Sequence, residues 1–199
     1  MKKYALLLVL SFPVTFAFSQ SFSHGVGLSL FVTTEKNGNA AAGEGFTYSP
    51  RFNFIEQQDF SLSVGIPLTV GISGSYSANY NSYNGNSVDN SLGFMFNAPL
   101  ILNFNMGAGS SKDNESRFGW YIGGGVGYHY GVYNQDTTDI YGNGYTQSVH
   151  MNAVGPVGNI GIRFAVGRGT HNVEARLLYM KGMDVSKANI FGMGALFNF

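Results

Sequence analysis

The chain has 199 residues, of which 11% are charged and 15% aromatic, with 28 glycines and no cysteine. Eleven basic residues balance eleven acidic ones, and a formal net charge of zero excludes the cationic surplus that a nucleic-acid partner demands. The missing thiols exclude disulfides, thiolate catalysis and thiolate metal sites, while the abundant aromatic and branched residues argue against disorder.

Lys2 and Lys3 precede an apolar run from Tyr4 to Phe18, and small residues stand at Ala17 and Ser19. This order predicts a cleaved signal peptide over residues 1–19 and a single exported domain over residues 20–199. The run falls short of the ~20 residues a spanning helix needs, and Pro13 interrupts it.

Beyond residue 20 the pattern has period two, the mark of strands. The apolar phase runs Val26, Leu28, Leu30, Val32, then Phe46, Tyr48, Pro50, Phe52, Phe54. A third segment alternates without a break from Phe60 through Val64 and Val70 to Ile72. The fourth is Leu92 to Phe104 and the fifth Phe118 to Tyr130. The sixth contains Gly155-Pro156, where a bulge or bend is expected, and continues as Ile160, Ile162, Phe164, Val166. Val173 to Tyr179 and Phe191 to Phe199 complete the set.

Eight strands joined by long polar connections (33–45, 73–91, 131–147, 181–189) alternating with shorter ones (55–59, 106–117, 167–171) predict an eight-stranded antiparallel up-and-down transmembrane β-barrel. The large apolar side chains occupy one face, and Gly, Ser, Thr and Asn the other. In so narrow a barrel the bulk belongs outside, against lipid. Of the 22 charges, four are expected within strands, Arg51, Arg163, Glu174 and Arg176, all on the polar phase. An Arg facing lipid at mid-depth would cost ~2–4 kcal/mol. Two aromatic belts are expected. Phe54, Phe60, Phe104, Phe118, Trp120, Phe164, Phe197 and Phe199 would lie beside the short turns, and Tyr48, Phe94, Tyr128, Tyr130, Tyr179 and Phe191 toward the long loops.

Several stretches carry a family resemblance: Phe18-Ser19-Gln20, Ser63 to Leu68, Asn97 to Leu102, Gly119 to Tyr128 and the ending Leu196-Phe197-Asn198-Phe199. With these the chain resembles the small OmpA/OmpX-like outer-membrane barrels, and more closely those of Bacteroidetes type. The resemblance implies a bacterial outer-membrane location with both termini periplasmic and the long loops outside. It implies that Phe197 and Phe199 act as a C-terminal signal for the barrel-assembly machinery during insertion, and that outer-membrane lipid is the standing partner.

Arg51, Arg163, Glu174 and Arg176 are expected to meet in the interior, with Tyr121, Asn53 and His129 on the same phase. A buried charge needs a partner, so an internal polar network in which Glu174 bonds an Arg is predicted. Its structural reading is a plug; its functional reading is an ion gate. No two of His24, His129, His150 and His171 share a two-residue spacing, so no metal and no cofactor is expected. Ser148 and His150 could share a face as in lipid hydrolases, with Asp136 or Asp139 orienting the base only if the preceding loop folds back; no enzymatic activity is expected. Gly123 to Gly127 lacks the Lys-Ser/Thr ending and the helix of a phosphate loop. The loops carry Tyr76, Tyr80, Tyr83, Tyr133, Tyr141 and Tyr145 among small polar residues, a composition shared with adaptable binding surfaces. The expected function is thus a structural or surface-interacting outer-membrane barrel with a filled polar interior. The rivals are a narrow ion pore, an adhesin or receptor binding an extracellular ligand through 73–91 and 131–147, a lipid-modifying hydrolase, and a secreted soluble β protein.

Overall fold

The computed structural model describes residues 20–35, 40–79, 87–138, 144–167, 171–184 and 187–199. Its strands are β1 (Ser21–Thr34), β2 (Ala40–Glu56), β3 (Phe60–Gly65), β4 (Leu68–Asn79), β5 (Ser87–Gly107), β6 (Phe118–Thr138), β7 (Gly144–Ala165), β8 (Asn172–Lys181) and β9 (Asn189–Asn198). Each pairs antiparallel with its neighbours, and β1 pairs with both β2 and β9, so the sheet closes on itself.

Nine elements make eight strands. β3 and β4 keep one register against β2 (Gly65 opposite Arg51, Leu68 opposite Tyr48) and one against β5 (Gly65 opposite Ile101, Thr69 opposite Asn97). They are a single strand interrupted at Ile66-Pro67, where proline has no N–H to offer the ladder.

Closure fixes the barrel's geometry. Following cross-strand partners from Gly119 leads through Arg163, Glu174, Leu196, Gly27, Thr47, Thr69 and Asn97 to His129, ten residues further along β6. That stagger over eight strands corresponds to a tilt of roughly 45°, and it leaves an interior just wide enough for side chains.

Leucine, isoleucine, valine and phenylalanine point outward along every wall: Leu28 is 69% exposed, and Phe46, Val70, Leu102, Ile122, Val126, Ile160 and Leu177 are exposed likewise. Two registers depart from expectation. Gly155-Pro156 brings no bulge, since pairing with β6 passes through Val126–Pro156 without a shift. Proline acts there on the other edge: pairing with β8 begins only at Val157. A bulge occurs instead in β2, where Asn53 faces Ser63 but Ile55 faces Leu62, leaving Phe54 as the extra residue. The bulge reverses the phase and turns Glu56 inward.

The long connections are shorter than expected because hydrogen-bonded hairpins extend into them. Ser73–Asn79 pairs with Ser87–Gly93, and Gly131–Thr138 with Gly144–Met151. Strands therefore contain charges beyond the four anticipated, among them Glu44, Glu56 and Lys181. Glu44 is exposed on the apolar phase, opposite Leu30 and Ile72, which corrects the reading that the outer phase is free of charge. The stagger lifts it to the level of Tyr128 and Phe191, at the edge of the apolar band rather than its middle.

Candidate functional site

The interior divides into two halves. At the end carrying Ser21 and Phe199 it is polar. Glu174, 4% exposed, is the centre. Its Oε1 accepts the Tyr121 hydroxyl at 2.6 Å; its Oε2 accepts Arg163 Nε at 2.8 Å and Asn198 Nδ2 at 3.1 Å. Arg163, 2% exposed, also donates Nη1 to Asn105 Oδ1 at 3.0 Å and to the Gly109 carbonyl at 3.3 Å, and its guanidinium lies 4.3 Å from the Tyr121 ring centroid. Arg51 Nη1 approaches Glu174 only to 4.0 Å; its Nε donates to Ser23 Oγ at 3.1 Å and its Nη2 to the Gly109 carbonyl at 3.3 Å. Arg176 stands one layer further in, its Nη2 3.5 Å from Ser29 Oγ.

Glycine makes room for these groups. A Cβ at Gly161 would lie against the Tyr121 ring, and one at Gly194 against Arg176 Nε and Ser29 Oγ. Small residues on one strand thus face long polar ones on the next.

The β5–β6 connection closes this end. Ala108, Ser110 and Ser111 are buried, and Gly107 and Gly109 take positive φ (75° and 71°) that L-residues rarely adopt. The turn so formed presents the Gly109 carbonyl to two guanidiniums. Glu56 anchors it from the opposite wall, accepting the Lys112 N–H at 2.8 Å and the Ser21 hydroxyl.

The other half of the interior is apolar. Phe31, Met95, Ile101, Met151, Val157, Leu178, Met180 and Ile190 form a buried cluster. The expected polar filling is therefore corrected: the buried charges keep to one half, and in the other the apolar cluster shares the interior with uncharged polar groups such as Thr33, Ser73 and Asn97. His129 lies with the apolar half, its ring 5.8 Å from Phe31 and its Nδ1 3.3 Å from Asn97 Oδ1, and not among the arginines. Asn53 donates to Ser21 Oγ at 2.8 Å at the polar mouth. Near the far rim Ser73 Oγ donates to the Val132 carbonyl at 2.8 Å, drawing β4 and β6 together over Gly93.

The apolar half was legible in runs that break the alternation: Leu30-Phe31-Val32, Phe94-Met95-Phe96, Leu100-Ile101-Leu102 and Leu177-Leu178-Tyr179-Met180. Where both phases are apolar, both faces of the wall meet apolar surroundings. Glu56 and Gly109 had no such signal, since one depends on the bulge and the other on a turn.

Outside, rings gather at two levels. Phe60–Phe104–Trp120, Phe118–Phe164 and Phe197–Phe199 lie toward the short turns. Phe94–Tyr130, Phe96–Tyr128 and Tyr179–Phe191 lie toward the other end, where the tyrosine hydroxyls meet His150, Asn152 and Asn189 at 3.1, 3.0 and 2.9 Å. Tyr48 departs from the expected placement: its hydroxyl is 2.5 Å from His24 Nδ1, and the His24 ring also stacks on Phe199 at 5.8 Å. The side chain reaches toward the termini because its cross-strand partner is Val26, two residues from His24.

Ser148 and His150 are both exposed and alternate on one face of β7, and the His150 ring bonds Tyr130. The Asp136 side chain, residue 139 and the side chains of Tyr76, Tyr80, Tyr83, Tyr133, Tyr141 and Tyr145 lie outside the described residues, as do residues 1–19.

No known family model matches the chain. No curated protein matches it either. Solved structures do. Ail, the attachment invasion locus protein of Yersinia pestis, solved in complex with the heparin analogue sucrose octasulfate, superposes with a TM-score of 0.54 at 16% identity, covering 92% of this chain and 99% of that one. Neisserial surface protein A superposes with a TM-score of 0.51 at 12% identity, covering 90% and 97%. This chain has the fold of small eight-stranded outer-membrane barrels.

Proposed function

We propose that this protein is an integral outer-membrane barrel of structural or surface-interacting role, sealed to ions and without catalysis. The observation that carries this is the inverted packing: charge and amide groups inside, and a continuous exposed wall of Leu, Ile, Val and Phe outside. Water would leave that wall exposed far beyond what a soluble monomer tolerates, whereas lipid buries it and the sheet, closed by the β1–β9 pairing, offers lipid no free edge strand. Ten residues separate Trp120 from Tyr130; at ~3.3 Å per residue and a tilt of ~45° the two rings stand roughly 23 Å apart, close to the ~25 Å height of a lipid-facing band.

Two barriers in series support a sealed interior: the Glu174–Arg163 network under its turn, and the apolar cluster around Phe31 and Met180. The termini and short turns share one end, which we assign to the periplasm, with Phe197 and Phe199 read there by the assembly machinery. The 1–19 segment, as a signal peptide, and the Bacteroidetes-type resemblance belong to the same reading. The paired hairpins of β4–β5 and β6–β7 would then stand outside the cell as the interacting surface. Ail, a protein with this fold, is seen holding a heparin analogue, which favours surface interaction over a purely structural role.

Gel mobility of the outer-membrane fraction, before and after boiling in SDS, tests the architecture. A heat-dependent shift is expected, and a soluble periplasmic chain without one would overturn it. Planar-bilayer recordings test the seal: no unitary conductance is expected, and stable steps would favour the pore.

A further inference from the structure

Among the described residues three arginines and two glutamates are buried, which leaves one positive charge over. Buried ions must be matched locally, and the contacts show which cation is short. Glu174 stands between Arg163, which it bonds at 2.8 Å, and Arg176, two residues along the same face of β8. Glu56 is spent on the Lys112 N–H and the Ser21 hydroxyl. Arg51 hydrogen-bonds no carboxylate: Glu174 Oε2 comes only to 4.0 Å of its Nη1 and already takes Arg163 and Asn198. Arg51 gives Nε to Ser23 Oγ and Nη2 to the Gly109 carbonyl, and its Nη1 has no acceptor among the described residues.

Arg51 lines a cavity at the end carrying Ser21 and Phe199, together with Ser23, Asn53, Lys112 and the exposed residues Phe22 and Phe199. The room open to the centre of a water-sized sphere is about 190 Å³, against the ~10–15 Å³ that one water requires, so a polyatomic anion fits. Arg51 Nη1 is one donor for it. The Ser23 hydroxyl is a second, since its oxygen takes the Arg51 proton and its own proton is left over. Lys112 adds another cation to the lining. Asn53 supplies an acceptor. Ser21 donates to Glu56, so it accepts from Asn53 Nδ2 at 2.8 Å, and this fixes which way the amide is turned. Asn53 Oδ1 is then buried with no hydrogen-bond partner. A ligand that suits both sides carries negative oxygens for Arg51 and one O–H for Asn53. An ionised carboxylate or sulfate has no such proton. A phosphate ion or phosphate monoester, with its second pKa near ~6, keeps one part of the time at neutral pH.

We propose that this mouth binds one singly protonated phosphate group, its anionic oxygens on Arg51 and Ser23 and its O–H on Asn53 Oδ1. The group matches the odd positive charge of the interior. Free phosphate and the terminal monoester of a lipid offer the same chemistry. The lipid source rests on the membrane reading above, in which Phe22 and Phe199 set the cavity at the lipid boundary.

Equilibrium dialysis of the refolded barrel in a phosphate-free sugar detergent tests this, with labelled inorganic phosphate and lysophosphatidic acid as probes. One saturable site per barrel is expected. Saturation by inorganic phosphate identifies the free ion; saturation by lysophosphatidic acid alone identifies the lipid. Arg51→Met should weaken binding about tenfold or more, and sulfate should compete about tenfold less well than phosphate, because it leaves Asn53 Oδ1 unpaired. Lys112→Gln, on the exposed turn, should weaken binding about two- to fivefold. Should Arg51→Met fail to fold, wild-type crystals soaked in arsenate decide: an anomalous peak within about 4 Å of Arg51 Nη1 is expected. No saturable binding of either probe, equal binding by wild type and folded Arg51→Met, equal competition by sulfate, or a cavity without arsenate would overturn the proposal in favour of water alone.

Discussion

Arg163 and Glu174 are direct cross-strand partners of β7 and β8, and their side chains close a 2.8 Å ion pair inside the barrel. The register alone therefore places the strongest charge contact of the interior. Both residues are spent on the same carbonyl-capped cluster, so removing either leaves a buried charge without its partner.

Glu174→Ala should destabilise the barrel by about 3–5 kcal/mol, the cost of an orphaned buried ion. Equilibrium urea unfolding of refolded protein measures it. Tyr121→Phe, which removes only the hydroxyl donated to Glu174, should cost less, about 1.5–3 kcal/mol.

Gly161 faces the Tyr121 ring. Gly161→Ala should destabilise by about 1–3 kcal/mol through overpacking. Combining it with Tyr121→Leu, which clears the ring, should give a double-mutant cycle with a coupling of at least ~0.5 kcal/mol. Additive costs would mean that the ring does not hold its position against β7.

Depth on the outer wall is testable by charge. Leu28→Arg, in the middle of the apolar band, should cost ~2–4 kcal/mol, whereas Glu44→Arg, at its edge, should cost ~0–1 kcal/mol. Refolding into lipid vesicles followed by urea titration gives both. Equal costs would remove the argument that a bilayer faces this wall.

Phe31→Ala should cost about 3–5 kcal/mol by cavity formation. Planar-bilayer recordings should stay silent, because the Glu174 network and the 108–111 turn close the other half. Conductance in this single variant would show that the apolar cluster is the only barrier.

The strand walls were readable because a two-sided environment writes itself into every second residue. Val64 to Ile72 gave the interrupted third strand its correct phase even across Pro67. Arg51, Arg163, Glu174, Arg176 and Tyr121 were readable as inward for the same reason. Alternation says which face a residue takes but not which contents a neighbouring layer has, so His129 was grouped with charges that lie a layer away. Glu56 was hidden because one extra residue at Phe54 inverts the phase, and nothing in Asn53-Phe54-Ile55 announces it. Gly109 was hidden because its contribution is a backbone carbonyl aimed by a positive φ. The hairpin lengths were misjudged because pairing continues after hydrophobic alternation stops, as along Ser73–Asn79.

The ten-residue offset between Gly119 and His129 also limits how this chain can change length. An offset of that kind must be even, because a residue facing in has to meet another facing in after one circuit. Adding a single residue to a wall strand would turn every later side chain of that strand inside out, carrying an arginine to lipid or a leucine to the centre. Insertions and deletions in the walls are therefore admissible in twos, or singly where a bulge such as Phe54 absorbs the odd residue near a strand end. The hairpin tips carry no such parity rule, and there the chain is free to lengthen one residue at a time.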